Sequence, residues 1–348
     1  MHPKTRLLLA AAALALIPGP AAAQGIALSG DARMGLEYDD RRDADDPNVS
    51  KWQMTSRARL AFTVDFETET GLFLGAGFRA DEAVEAAGNT VMTGGYVYIA
   101  SLDFGALVMG DASGAARHRV GDLDFTSLTG LGDWNEMIYL DRLQEGDTAL
   151  FVADFERPDR RTAARYEFTR DAFSLSVSLD QFRKVEDIDL PDVVGTGIDL
   201  LGTARGRGWS VAGSYDFGNG RLSLGYEDLR ITSDADSFRA THAIIGAEAR
   251  FDAVTVKAIY GRAGADLGDF LELFDFSRDQ YGASVEARVD AVTVSLFGNR
   301  DFFRNRKAGL GASYDLGGGA EIVGAVARER PLAGANRTRA DFGVAMTF

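Results

Sequence analysis

The sequence contains no cysteine, only seven prolines and three histidines in 348 residues. Without cysteine there is neither a disulfide framework nor a thiolate metal site. No apolar run is long enough for a helical membrane span. Basic charge is scarce too: the formal net charge is −15. A surface this acidic argues against nucleic acid, whose phosphates need a basic partner.

The N-terminus is a separate unit. Lys4 and Arg6 precede the apolar run 7–17, and the alanines at 21–23 precede Gln24. The run is too short to cross a bilayer as a helix, and a small-residue site follows it. The order is that of a secretory signal peptide, 1–23, cleaved after Ala23. The mature chain, 24–348, is then exported and carries a net charge of about −17 once two basic residues are removed.

What is abundant is glycine, at 40 residues, and phenylalanine, at 22. With so little proline, this suits many strands joined by tight turns. From residue 24 onward, stretches of about 8–12 residues alternate apolar and polar. In 173–180, Phe173, Leu175, Val177 and Leu179 oppose Ser174, Ser176, Ser178 and Asp180. The final segment reads the same way. Phe342, Val344, Met346 and Phe348 oppose Asp341, Gly343, Ala345 and Thr347.

The connections sort into two kinds. Short ones rich in Gly, Asn and Asp fall at 67–71, 102–105, 170–172, 217–220, 251–253, 289–291 and 316–319. Long ones fall at 39–50, 80–90, 112–161, 181–206, 232–240, 263–277, 300–306 and 329–336. Strict alternation of short and long is the connectivity of an up-and-down antiparallel barrel, with turns at one rim and loops at the other. The reading is therefore all-β: a transmembrane antiparallel β-barrel of about sixteen strands with a water-filled lumen. A soluble sandwich also alternates, but it does not explain loops on one side and charge on the polar face.

The longest connection, 112–161, is the third loop. A loop this long needs a reason, and folding into the lumen to narrow it is one. Its acids include Asp122, Asp124, Asp133, Glu136 and Asp141. Strand parity places Arg33 on the lumen face of the first strand, with Asp31 and Glu37. It places Arg57 and Arg59 on the second and Arg79 on the third. Four permanently charged arginines on adjacent strands, facing an acidic loop, would set a transverse field across the opening. Each arginine could instead pair with a nearby lumen acid. The overall acidity suggests a mild preference for cations at the mouth, which the arginines oppose.

Several segments carry a specific resemblance: 29–35 (SGDARMG), the paired arginines of 56–59, 71–79 (GLFLGAGFR), 108–114 (VMGDASG) and 309–320 (GLGASYDLGGGA). They resemble the general porins of purple non-sulfur and related alphaproteobacteria, over about residues 25–348. The resemblance implies a Gram-negative outer-membrane barrel of sixteen strands, assembled as a homotrimer in lipid. It implies passive diffusion of small hydrophilic solutes and ions, with no cofactor required. It also implies an eyelet: Arg33, Arg57, Arg59 and Arg79 on the basic side, the loop acids on the other. Bound calcium at acid-rich turns such as 39–46 or 122–124 is compatible with it, although their spacing is not that of an EF-hand. The glycine-rich stretch 93–100 suits close packing between subunits.

Trp52, Tyr96, Tyr98, Trp134, Phe151, Phe155 and Trp209 are read as girdle or packing residues. Only His118 and His242 remain after signal cleavage, and no G-x-S-x-G or H-E-x-x-H occurs. An enzyme is therefore not expected. The serious alternative to a general pore is a substrate-specific channel with a saturable binding site.

Overall fold

Alternation gives each strand one oily and one polar face, and the polar face cannot be buried against a second sheet without hiding charge. The sheet instead closes on itself. A computed structural model describes residues 24–42, 49–83, 91–141, 162–188, 202–232, 237–273 and 275–348. The signal peptide expected at 1–23 lies outside them.

Sixteen strands run in order: β1 (Gln24–Asp39), β2 (Trp52–Glu67), β3 (Phe73–Ala83), β4 (Val91–Ser101), β5 (Gly105–Gly110), β6 (Thr162–Arg170), β7 (Phe173–Ile188) and β8 (Gly202–Asp216). The second half comprises β9 (Gly220–Thr232), β10 (Ser237–Phe251), β11 (Val254–Ala263), β12 (Asp279–Val289), β13 (Val292–Arg300), β14 (Arg306–Gly317), β15 (Ala320–Arg330) and β16 (Arg337–Thr347). Every strand pairs antiparallel with its sequence neighbours, and β16 pairs with β1 to close the barrel. Closure leaves no unpaired edge, which a lipid environment demands.

The side chains sort as the alternation requires. On β16, Phe342 and Met346 are exposed on the outer wall while Asp341 and Gly343 are buried within. Trp52 and Trp209 face outward, and Trp209 stacks obliquely on Tyr226 at 5.5 Å. Tyr96 and Tyr98 instead point inward over Gly77 and Gly75. Trp134 is a buried packing residue of the third loop. Phe151 and Phe155 lie outside the described residues.

The tight turns form one rim. Asp171, Asp252 and Asp290 sit there at φ of 54°, 47° and 51°, a conformation that Asp tolerates because its short carboxylate bonds locally. At the other rim the long connections depart from the sequence reading. Strands β7 and β8 extend to Ile188 and from Gly202, with register shifts after Phe182, so the fourth loop is shorter than 181–206. Strands β9 and β10 run to Thr232 and from Ser237, which leaves only 233–236 of the expected 232–240. Two helices also stand where plain loops were expected: α1 (Ala115–Val120) and α2 (Ala265–Leu273). Helix α2 buries Leu267 and Leu271 with Leu140, Phe238 and Phe302. Neither helix is long and apolar enough to cross a membrane; the strands do that.

The seam between the chain ends is made by backbone and charge together. Gly30 and Phe348 exchange two backbone hydrogen bonds, 2.8 and 3.0 Å. At the loop rim, Asp39 is 2% exposed and accepts from Arg337 Nε at 3.0 Å and Arg339 Nε at 3.0 Å. Removing this buried carboxylate takes away the acceptor that both guanidinium groups share. We expect Asp39→Ala to cost about 2 kcal/mol, below the full buried-pair range because the arginines are partly wet. The check is the urea midpoint of the folded barrel in detergent. An unchanged midpoint would remove the charge clasp from the account of closure.

Candidate functional site: the lumen and its third loop

The third loop lies inside the barrel, and its course follows from where its backbone groups find partners. Amides inside a lumen need acceptors, and inward serines supply the first ones. Ala115 N donates to Ser178 Oγ at 3.0 Å and Ala116 N to Ser210 Oγ at 3.3 Å. Helix α1 then seats on inward glycines: a side-chain carbon on Gly225 would fall 2.8 Å from the Ala116 Cβ, and one on Gly246 equally close to Val120.

After α1 the chain crosses the inner wall from β12 to β1. Asp124 N donates to Ser284 Oγ at 3.0 Å, and Thr126 N to Ser295 Oγ at 2.7 Å. Thr129 gives both its N–H and its hydroxyl to Asp341 Oδ2, at 2.7 and 2.8 Å. Beneath this segment the wall is a glycine trough. An added Cβ at Gly282 would lie 2.6 Å from Leu123, at Gly311 only 1.7 Å from the Thr126 carbonyl, and at Gly35 2.5 Å from Leu128. At Gly311 loop backbone takes the space a Cβ would fill, and at Gly282 and Gly35 the leucine side chains of the loop take it.

The returning chain is pinned again. Asn299 Nδ2 donates to Trp134 O at 2.7 Å. Gln280 brackets Ile138, accepting its N–H at 2.9 Å and donating to its carbonyl at 2.7 Å. The same Gln280 amide nitrogen lies 3.1 Å from His242 Nε2, so that ring nitrogen accepts. His242 therefore carries its proton on Nδ1 and donates it to Glu227 Oε2 at 2.8 Å. Glu227 also accepts Leu140 N at 3.2 Å. This buried chain clamps the loop. His118, the other histidine, is 3.0 Å from Glu167 beneath α1.

The arginines expected on the lumen face come together. Arg33 and Arg57 are direct cross-strand partners, as are Asp31 and Arg59. Arg79 pairs with Ala61, one inward position nearer the turn rim than Arg59. Like charges set directly opposite repel. Part of that cost is offset where Arg57 Nη2 donates to Asp31 Oδ1 at 2.9 Å and Arg33 Nη1 donates to the Leu128 carbonyl at 2.8 Å. The second contact ties the basic wall to the loop.

The expected acids take unlike positions. Asp133 is exposed, at φ 55°, and its carbonyl accepts Glu136 N at 3.0 Å. Asp124 is half-buried beside Ser284. Asp122 accepts Met137 N at 2.9 Å, with Arg117 at 3.9 Å. Burial pushes the Asp122 carboxyl above its usual range, against the pull of the Met137 amide and of Arg117 and Lys257. Asp141 is 3% exposed and accepts Gly114 N at 2.7 Å, which places it at the base of the loop, away from the water path.

Sequence reasoning did not single out Arg339, whose guanidinium lies 5.5 Å over the Trp134 ring, or Lys257, which donates to the Asp122 carbonyl at 2.6 Å. Their strand parity was legible; the loop they meet was not. Of the acid-rich turn 39–46 considered for calcium, Asp39 is engaged by arginines and residues 43–46 lie outside the described residues; among the described residues no group of three His, Asp or Glu side chains is set to hold a cation.

The chain matches the family described as Gram-negative porin over residues 10–331. It is 33% identical to a porin of Rhodobacter capsulatus across 341 residues, covering 93% of this chain and all of that one. A porin structure refined at 1.8 Å superposes with a TM-score of 0.65 at 31% identity, over 93% of this chain and all of that one. A variant of the Rhodopseudomonas blastica porin, 18% identical over the same shares, gives 0.64 and supports the fold.

Proposed function

Because this chain belongs to the Gram-negative porin family, and is a porin channel of the outer membrane, we propose that it is a general diffusion pore with a charged eyelet. The observation that carries this reading is the third loop, pinned across the lumen and joined to the arginine wall through Arg33 and Leu128. Water fills what the loop leaves open. Solutes pass down their gradients, sieved by width and sorted by charge. Arg33, Arg57, Arg59 and Arg79 form the basic side. Of the loop acids Asp133 is the exposed one, with Glu136, Asp124 and Asp122 partly buried. Asp141 serves the loop's closure.

No bond is made or broken in this reading, and no cofactor takes part. His242 and Glu227 are loop anchors, buried away from any solute. A homotrimer, as the sequence resemblance implies, is part of the proposal.

Planar bilayers test it. Refolded protein should insert in conductance steps grouped in threes, and liposomes carrying it should admit neutral sugars at rates that fall steadily with size. A substrate-specific channel would instead show saturable block by one sugar or anion. Absence of conductance from correctly folded barrels would end the pore reading.

A further inference from the structure

The outer wall carries charge where an apolar belt should end. On β13, β14 and β15, outward positions from the turn rim upward are apolar or small: Val294 and Leu296 on β13, Leu310 on β14, Val326 on β15. Past one further outward position on each strand (Gly298, Ala308 and Arg328) stand Arg300, Arg306 and Arg330, one on each strand and in a single row. Arg306 is the direct cross-strand partner of both Arg300 and Arg330. Arg328, the next outward residue below Arg330, pairs with Ala308 beside this row. Tyr281, exposed on β12, continues the row next to Arg300.

Three like charges set directly opposite one another destabilise a sheet, so such a row calls for a counter-charge. Among the described residues, no side-chain hydrogen bond or salt bridge joins Arg300, Arg306, Arg328 or Arg330 to an acid. Two other outward arginines at this rim do have carboxylates, Arg239 with Asp228 at 2.9 Å and Arg262 with Asp279 at 2.9 Å. The unmatched row sits at the loop rim, which faces outward in barrels of this kind, at the level of the aromatic girdle where lipid headgroups lie.

We propose that Arg300, Arg306, Arg328 and Arg330 form a binding site for the phosphorylated headgroups of outer-leaflet lipids. Guanidinium forks match phosphate oxygens two at a time, and the acyl chains continue downward over Leu296, Leu310 and Val326. The site belongs to the outer surface and is separate from the pore, so it does not depend on the eyelet.

The test uses folded, full-length mature barrel in detergent and counts retained lipid by native mass spectrometry. Dilauroyl phosphatidic acid is the probe, dilauroyl glycerol its uncharged control and inorganic phosphate the competitor. Wild type should retain the phosphatidic acid and not the diacylglycerol. The double variant R306Q/R330Q should bind it about thirtyfold more weakly, as loss of two surface cations implies. Its single-channel conductance should be unchanged, which reports correct folding. R306K/R330K, which keeps the charge and removes the fork, should be intermediate and stands in if the glutamine variant misfolds. Equal retention by wild type and the glutamine variant, or equal retention of diacylglycerol, would overturn the proposal. Displacement by inorganic phosphate as effective as by the lipid would make this a free-anion site and reject the lipid.

Discussion

Replacing Arg33, Arg57 and Arg59 together with alanine moves the zero-current potential in a salt gradient toward cation permeation. Three positive charges leave one sector of the lumen wall, where Arg33 and Arg57 are cross-strand partners and Arg59 stands opposite Asp31. Asp31, which holds Arg57 at 2.9 Å, stays behind as an uncompensated acid. An ion passing about 10 Å away in water feels about 0.4 kcal/mol per unit charge, so three removed charges shift the balance by about 1.2 kcal/mol, or about sevenfold at low salt. Screening at 0.1 M and above reduces that to a small factor, so the effect should shrink as salt is raised. Conductance should not fall, because alanine is smaller than arginine. The loss of the Arg33 bond to the Leu128 carbonyl also frees one anchor of the loop, so current noise should increase. An unmoved potential at low salt would leave the pore intact and remove these arginines from its selectivity.

A single methyl group should have the second largest effect. At Gly311 an added Cβ would fall 1.7 Å from the Thr126 carbonyl oxygen, which is backbone and cannot rotate away. Thr126 is held on the other side of that contact by Ser295 at 2.7 Å, and the loop on either flank by Ser284 and Asp341. With both flanks fixed, the strand of loop over Gly311 has one way to move, toward the pore axis. Gly311→Ala is therefore expected to lower single-channel conductance and to cost about 1–3 kcal/mol in barrel stability, the range for an overpacked contact. Gly298→Ala is the control, since its Cβ would meet nothing closer than 3.9 Å. Both substitutions act equally on the unfolded chain, so their difference isolates the loop contact. If the two variants conduct alike, the loop does not rest on Gly311.

How much of this was legible beforehand depends on the range of the interaction. Strand existence, parity and the two kinds of rim follow from period-two alternation and turn residues, which are local. So does the placement of Arg33, Arg57, Arg59 and Arg79 on one face of three neighbouring strands. The terminal strand was equally plain: its polar odd positions look inward, and Phe348 bonds back to Gly30. Where local signals were weak, the reading slipped. The connections 181–206 and 232–240 are polar and loop-like by composition, yet pairing with neighbours extends β7 through β10 into them. Backbone hydrogen bonding there overrides side-chain preference. Helix α2 was missed because Leu267 and Leu271 earn their helical spacing only against Leu140, Phe238 and Phe302, which come from distant parts of the chain.

By itself, the sequence determined an exported barrel of about sixteen strands, its inward and outward faces, and the arginines of its lumen wall, because each rests on residues near one another in the chain. Only the tertiary structure decided how the third loop is held. Serines 284 and 295, Asp341, Gln280, Glu227 and a trough of glycines lie 87 to 212 residues from the loop atoms they bind or admit. In sequence they are ordinary polar and small positions of an alternating strand. Closure of the sheet brings them to one side of the lumen, and the loop's unsatisfied amides then select them.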